Sequence, residues 1–167
     1  MTDPLLLALD CGTQSVRALL VDTRGEVRAK AQQPLTGYLS HQAGWHEHDA
    51  NTLWQAAATV CRQVLAEHAP KPGQLKAMAV TTQRGTLVPV DADGQPLRPF
   101  ITWLDQRRAT RVPRLAPWWR AALAAARVSG TVDHFLHEAE LNWIAQHEPA
   151  LWARTARVLL VSGWLNH

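Results

Sequence analysis

The chain has 167 residues, 47% hydrophobic and 19% charged, a balance that favours one folded domain with a real core over a disordered chain. The formal net charge of +3 comes from basic residues spread along the chain. No zinc finger, recognition helix or basic–aromatic interleaving accompanies them, so nucleic acid is not the expected partner. No apolar run is long enough to span a bilayer, and the opening Met1-Thr-Asp-Pro lacks the pattern of a signal peptide, which makes the cytoplasm the expected location. Cys11 and Cys61 form neither a disulfide framework nor a zinc pattern.

Leu5 to Asp22 reads as an apolar strand, a tight polar turn and a second apolar strand. Asp10 closes the first run, Gly12, Thr13, Gln14 and Ser15 make the turn, and Arg17 opens the second run. Such a turn is suited to phosphate. Gly12 lets backbone approach a ligand, successive N–H groups form an anion-binding concavity, and Thr13, Ser15 and Arg17 add donors. Asp10 would repel phosphate but can hold hydrated Mg²⁺. An ordinary hairpin would use the same residue types, and the stretch alone leaves both readings open. Cys11, inside the turn, reads as a small buried thiol.

Val27 to Gln33 adds a third antiparallel strand, and Pro34 to Gly44 is a loop leading to Trp45-His46-Glu47-His48-Asp49. Asp49 is suited to N-cap a helix over residues 51–68, with Trp54, Ala57, Ala58, Cys61, Val64 and Leu65 as its buried face. Leu75 to Thr81 reads as a buried strand pairing in parallel with the first sheet, with Thr82-Gln83-Arg84-Gly85 at its carboxyl end, where open α/β sheets place ligands.

A hairpin follows, residues 86–90 and 96–101 joined through Asp91 to Gly94, and then Trp103-Leu104-Asp105-Gln106-Arg107. Arg108 to Arg127 reads as mostly helical, interrupted by Pro113 and Pro117, with Arg107, Arg111 and Arg114 on one solvated face and Ser129-Gly130 as the break. A second helical stretch covers 136–147, with Leu136, Trp143 and Ile144 on one side, and a short buried strand covers 158–161. Ser162 then reads as the N-cap of a helical turn too short to be stable alone, with little for Trp164 to pack against. The expectation is a chain cut short.

Four features stand in order: Asp10-Cys-Gly-Thr-Gln-Ser-Val-Arg17, Trp45-His-Glu47-His-Asp49, Gln83-Arg84, and Trp103-Leu-Asp105-Gln-Arg107. Together they resemble the N-terminal part of the FGGY carbohydrate kinases, the family of glycerol kinase, xylulokinase and ribulokinase. The resemblance implies an actin-like, ribonuclease H-like α/β domain: a mixed sheet opening with three antiparallel strands, with flanking helices. It implies ATP and Mg²⁺ as cofactors and phosphorylation of a sugar or polyol hydroxyl. Asp10 would sit near the metal, Gly12, Thr13, Gln14, Ser15 and Arg17 would face the ATP phosphates, and Gln83, Arg84, Trp103 and Asp105 would surround the sugar. The chain would be the N-terminal portion of the first domain, with that domain's second half, its catalytic Asp and the ATP-binding domain all outside it. On that basis the chain alone is expected to be inactive.

Two departures bear on the substrate. Gly85 stands where glycerol kinases carry Glu, and Phe135 falls where they place a Tyr. Both favour a larger ketose, such as a pentulose, or another polyol over glycerol. Acetate kinases and polyphosphate phosphatases share the fold but do not fit Gln83-Arg84 followed by Trp103-x-Asp105-x-Arg107. The alternative is a non-catalytic module that binds a sugar, or a partner through the apolar surface its missing half would cover, and that self-associates. His46 and His48 beside Glu47 and Asp49, and His134 and His137 beside Glu138, could seed a metal site, but exposed polar residues are the favoured reading.

Overall fold

The computed structural model describes residues 3–167. Period-two alternation builds the first sheet. In β1 (Leu5–Cys11), Leu5, Leu7, Leu9 and Cys11 are buried, while Leu6, Ala8 and Asp10 face the other way and are less covered. β2 (Ser15–Asp22) buries Val16, Ala18 and Leu20 on the same side and pairs antiparallel with β1. β3 (Val27–Pro34) pairs antiparallel with β2.

Asp22 fixes the turn between β2 and β3. Its carboxylate accepts from the N–H groups of Arg24 (2.9 Å) and Glu26 (3.0 Å) and from Arg28 Nε (2.9 Å). Burial alone would raise its pKa, but these bonds hold it down at about 2. A depressed folded value gives stability that is complete above the unfolded pKa of about 3.9 and is lost as pH falls toward 2. Urea titrations of Asp22→Asn should therefore show a shallower loss of stability between about pH 4 and pH 2 than the parent chain. Parallel acid profiles would contradict this.

β4 (Glu47–His48) leads into α1 (Ala50–His68). Asp49 caps the helix as expected, accepting from Thr52 N–H at 2.7 Å, an interaction worth about 1 kcal/mol. The buried face, however, is Ala50, Leu53, Ala56, Ala57, Val60 and Val64. Trp54 lies outside it and is half exposed. Close approach to β2 and β3 favours small alanines and compact valines at the contact, and the indole is turned out.

β5 (Leu75–Thr82) pairs in parallel with β1, giving the order β3-β2-β1-β5. It was expected to be buried but is mostly exposed, because it is the sheet edge and α1 covers β2 and β3 instead.

The second sheet contains β4, β6 (Leu87–Val90), β7 (Phe100–Ile101) and β8 (Arg157–Leu160) in the order β4-β7-β6-β8. Asp91 shapes the turn after β6 by accepting from Asp93 N–H (3.0 Å) and Gln95 N–H (2.8 Å). β8 is half exposed rather than buried.

Residues 108–127 depart most from expectation. Only α2 (Pro117–Ala125) is helical there, and Pro117 starts that helix instead of interrupting it. The helical face of Arg107, Arg111 and Arg114 does not form. The chain breaks at Arg127 (φ 58°), so Ser129-Gly130 lies in the first turn of α3 (Ser129–Glu138). Extended backbone at Ala139 separates α3 from α4 (Glu140–His147), dividing the expected 136–147 helix.

α5 (Pro149–Arg154) follows, with proline again at the helix start. α6 (Val161–Leu165) takes Ser162 into its body, so Ser162 is not the cap. Trp164 does find partners: it meets Phe100 edge-on at 6.3 Å and packs against the main core beneath the first sheet.

Candidate functional site

The β1–β2 turn is tight because Gly12 N–H donates to the Ser15 carbonyl at 3.1 Å, and a Cβ at Gly12 would lie 3.3 Å from that oxygen. The Gly12 amide is therefore spent inside the turn and does not face a ligand. At the tip, the N–H groups of Thr13 and Gln14 have no partner among the described residues. Behind the tip, Leu35 N–H donates to the Gln14 carbonyl (2.8 Å) and Tyr38 Oη to the Thr13 carbonyl (3.4 Å). Ser15 is buried, and its hydroxyl accepts from Gln32 Nε2 at 3.1 Å, so it turns toward β3 and away from a phosphate. This corrects its place among the phosphate-facing residues.

Asp10 and Arg17 are cross-strand partners on the face opposite α1, 3.7 Å apart and about half exposed. A carboxylate and a guanidinium held this way suit a cation and a phosphate together. Next to them, burial first and the Asp10 charge second push the Cys11 thiol up to about 12, so it stays protonated and is no nucleophile.

β5 delivers Gln83 to this turn. Gln83 N–H donates to the Cys11 carbonyl at 2.9 Å. The Thr13 hydroxyl donates to Gln83 Oε1 and accepts from Trp103 Nε1, both at 3.0 Å. One hydrogen-bond chain, Trp103 to Thr13 to Gln83, thus joins the tip of the first hairpin to two of the four expected sugar residues. Gln83 Nε2 is buried without a partner among the described residues, a donor free to meet an acceptor.

Trp103 remains 54% exposed, which leaves ring surface for a C–H face. Gly85 adopts φ 63°, and a Cβ there would lie 3.2 Å from Trp103 Cβ, so a side chain at this position would press on the indole. Arg84 lies exposed beside it.

Asp105 plays a different part from the sugar contact expected of it. Its side chain is closed to solvent. Its oxygens accept from His46 N–H (2.8 Å), Arg107 N–H (2.9 Å), Arg107 Nε (2.8 Å) and Arg107 Nη2 (2.7 Å). Burial opposes its charge, but the Arg107 bonds outweigh it and keep the carboxyl below the usual range. With both oxygens occupied, Asp105 positions Arg107.

Arg107 also pairs with Glu47 at 2.8 Å and lies over the rings of Trp45 (4.1 Å) and Trp143 (4.6 Å). Arg98 bonds Glu47 as well, and Glu148 at 2.8 Å. The sequence reading missed this buried network. Its only trace there is a tryptophan two residues before Glu47 and another two before Asp105.

The histidines are engaged elsewhere. His48 is buried beside Tyr38, and burial lowers its pKa. His134 pairs with Glu138 at 3.0 Å, and His137 lies 3.9 Å from Asp133. Among the described residues, no group of three or more His, Cys, Asp or Glu side chains could hold a metal ion. Among the described residues, no helix is long and apolar enough to cross a membrane.

Residues 5–167 match the FGGY family of carbohydrate kinases, N-terminal domain. A glycerol kinase from Dechloromonas aromatica (strain RCB) is 35% identical over 166 residues, covering 99% of this chain and 33% of its own. Among solved structures, a xyloylose kinase from Brucella ovis superposes with a TM-score of 0.76 at 28% identity, covering 97% of this chain and 33% of its own. A xylulose kinase from Rhodospirillum rubrum gives 0.73 at 27% identity, with the same shares covered. The chain spans about a third of the length of the relatives it matches. Its fold is the actin-like α/β fold of the sugar kinases, with the mixed sheet that the sequence led us to expect. With the match running from β1 to the last residue, the chain belongs to the FGGY family of carbohydrate kinases.

Proposed function

We propose that this chain supplies the phosphate hairpin and one wall of the substrate pocket in an ATP-dependent kinase that phosphorylates a hydroxyl of a polyol or ketose. The observation that carries the reading is the Trp103–Thr13–Gln83 hydrogen-bond chain, which sets phosphate-type and sugar-type groups side by side. The N–H groups of Thr13 and Gln14, with the Arg17 guanidinium, would take ATP phosphate oxygens. Asp10 would hold Mg²⁺ through water, and the half-exposed carboxylate fits a hydrated hard cation. When bound, the metal neutralises phosphate charge. Phosphoryl transfer is mostly positioning and charge stabilisation, which is what this hairpin offers.

On the sugar side, Gln83 Nε2 and Arg84 donate to hydroxyl oxygens, and Trp103 offers its exposed face. Residues outside this chain supply the general base and the adenine site, in a cytoplasmic enzyme. One curated relative is a glycerol kinase and one solved neighbour a xylulose kinase, so both substrate sizes occur among relatives. Gly85, and Phe135 at 63% exposed, leave this chain without two polar groups expected around glycerol, which favours a ketose such as a pentulose.

Steady-state kinetics on the complete kinase test the pocket. Arg84→Ala should raise the sugar KM about tenfold or more while kcat changes little, as when uniform binding is lost. Unchanged sugar kinetics would contradict the assignment. The 167-residue chain alone should release no sugar-dependent ADP.

A second reading, a non-catalytic interaction module, draws on exposed Leu6, Leu75 and Met78 on and beside the uncovered part of the first sheet. It predicts self-association in size-exclusion chromatography and no contribution of Arg84 to any turnover.

A further inference from the structure

Residues 35–39 run as a strap behind the tip of the β1–β2 turn, tied down at both ends. At the near end Leu35, itself buried, donates its N–H to the Gln14 carbonyl at 2.8 Å. At the far end Leu39 and Glu47 exchange backbone hydrogen bonds of 2.9 and 3.2 Å, and the Glu47 side chain is held in turn by Arg98 and Arg107. Between these anchors sits Tyr38, half-buried, with its ring against two imidazoles. The His48 ring lies 4.4 Å away at a tilt of 51°, and His46 meets it edge-on at 5.6 Å. His48 Nε2 and His46 Nδ1 have no hydrogen-bond partner among the described residues, so what these rings give Tyr38 is packing.

The polar end of Tyr38 is aimed at the tip. Its Oη donates to the Thr13 carbonyl at 3.4 Å. Burial raises the phenol above its ordinary range, so the hydroxyl keeps the proton it donates. The bond is long, as hydrogen bonds at a reaction site often are before a ligand closes it. Its consequence follows from peptide geometry. None of the described peptide bonds is cis, and in a planar trans unit the N–H points opposite to the C=O. Drawing the Thr13 carbonyl back toward Tyr38 therefore turns the Gln14 N–H forward, away from the strap. That N–H has no partner among the described residues and is one of the donors assigned above to phosphate.

We infer that Tyr38 is a positioning residue for phosphoryl transfer: braced by His46 and His48, its hydroxyl holds the Thr13–Gln14 peptide so that the Gln14 N–H faces the phosphate. The inference rests on the kinase reading above and adds to it a residue that acts through the backbone of the tip.

Tyr38→Phe in the complete kinase tests it, because this change removes the hydroxyl and keeps the ring between the two imidazoles. The kcat should fall about tenfold, short of the loss that follows deletion of a whole charge-stabilising donor. The sugar KM should stay within about twofold of the parent's, and the thermal midpoint within about 2 °C. Calorimetric binding of the β,γ-methylene analogue of ATP with Mg²⁺ should weaken about threefold or more. His48→Ala, which takes away the ring behind Tyr38, should lower kcat in the same direction, and His48→Phe, which puts a ring back, should recover it to about half the parent value or more. Kinetics of Tyr38→Phe equal to the parent's, or a loss of rate matched by a loss of thermal stability, would overturn the brace. If the parent turns over no sugar and the ATP analogue still binds more weakly to Tyr38→Phe, the brace stands and the kinase reading fails. If the parent turns over sugar and Tyr38→Phe changes neither rate nor analogue binding, the kinase reading stands and the brace fails.

Discussion

Arg107→Ala is expected to cost the chain about 3–5 kcal/mol or prevent folding altogether. Two nearly buried carboxylates, Glu47 and Asp105, depend on this guanidinium, which is itself buried between Trp45 and Trp143. Removing it leaves negative charge in a site that water barely reaches. Two causes of the loss can be separated. If packing against the two indoles dominates, Arg107→Met restores much of the volume and much of the stability. If uncompensated charge dominates, Arg107→Met is nearly as unstable as Arg107→Ala. The second outcome is expected, because three hydrogen bonds and ion pairs end on this one side chain. Urea denaturation with unchanged m-values measures it. A loss below about 1 kcal/mol in both variants would place the network among ordinary surface ion pairs.

The second large effect is on rate. Asp10→Ala in the complete kinase should lower kcat about 10²-fold or more and leave the sugar KM nearly unchanged, the pattern for an interaction realised chiefly in the transition state. The structure separates this from misfolding. Asp10 points away from the core, is about half exposed, and among the described residues pairs only with Arg17 at 3.7 Å. The thermal stability of the variant should therefore stay within about 0.5 kcal/mol of the parent. A drop in rate that tracks a drop in stability would assign Asp10 a structural role instead.

The parts of the fold that were legible were the local ones. The leucines of β1 alternate, the turn carries glycine and hydroxyls, and Asp49 stands directly before a helical pattern. The parallel pairing of β5 with β1 followed from one crossover helix. What failed depended on distant partners. The helical face of α1 was legible only in part: Ala57 and Val64 are buried and Cys61 and Leu65 pack against the core, but Trp54 is turned out, because periodicity alone does not say that a sheet needs small residues at the contact. Residues 108–127 look helical from their alanines and arginines, but prolines and the buried Arg107 override that propensity.

At the site, the sequence pointed to Thr13, Gln83 and Trp103 as separate motifs. It could not show them bonded to one another, since the links join residues 70 and 90 positions apart. Ser15 and Asp105 carry the residue types their expected roles require. Only their partners, Gln32 for one and His46 with Arg107 for the other, reveal that they position neighbours.

The most direct measurement is phosphorus NMR of the complete kinase incubated with ATP, Mg²⁺ and a five-carbon ketose. The expected result is a new phosphate monoester that grows in step with ADP and is largely lost in Asp10→Ala. ADP accompanied only by inorganic phosphate, or ester formation undiminished by Asp10→Ala, would contradict the proposal that this hairpin serves phosphoryl transfer to a sugar hydroxyl.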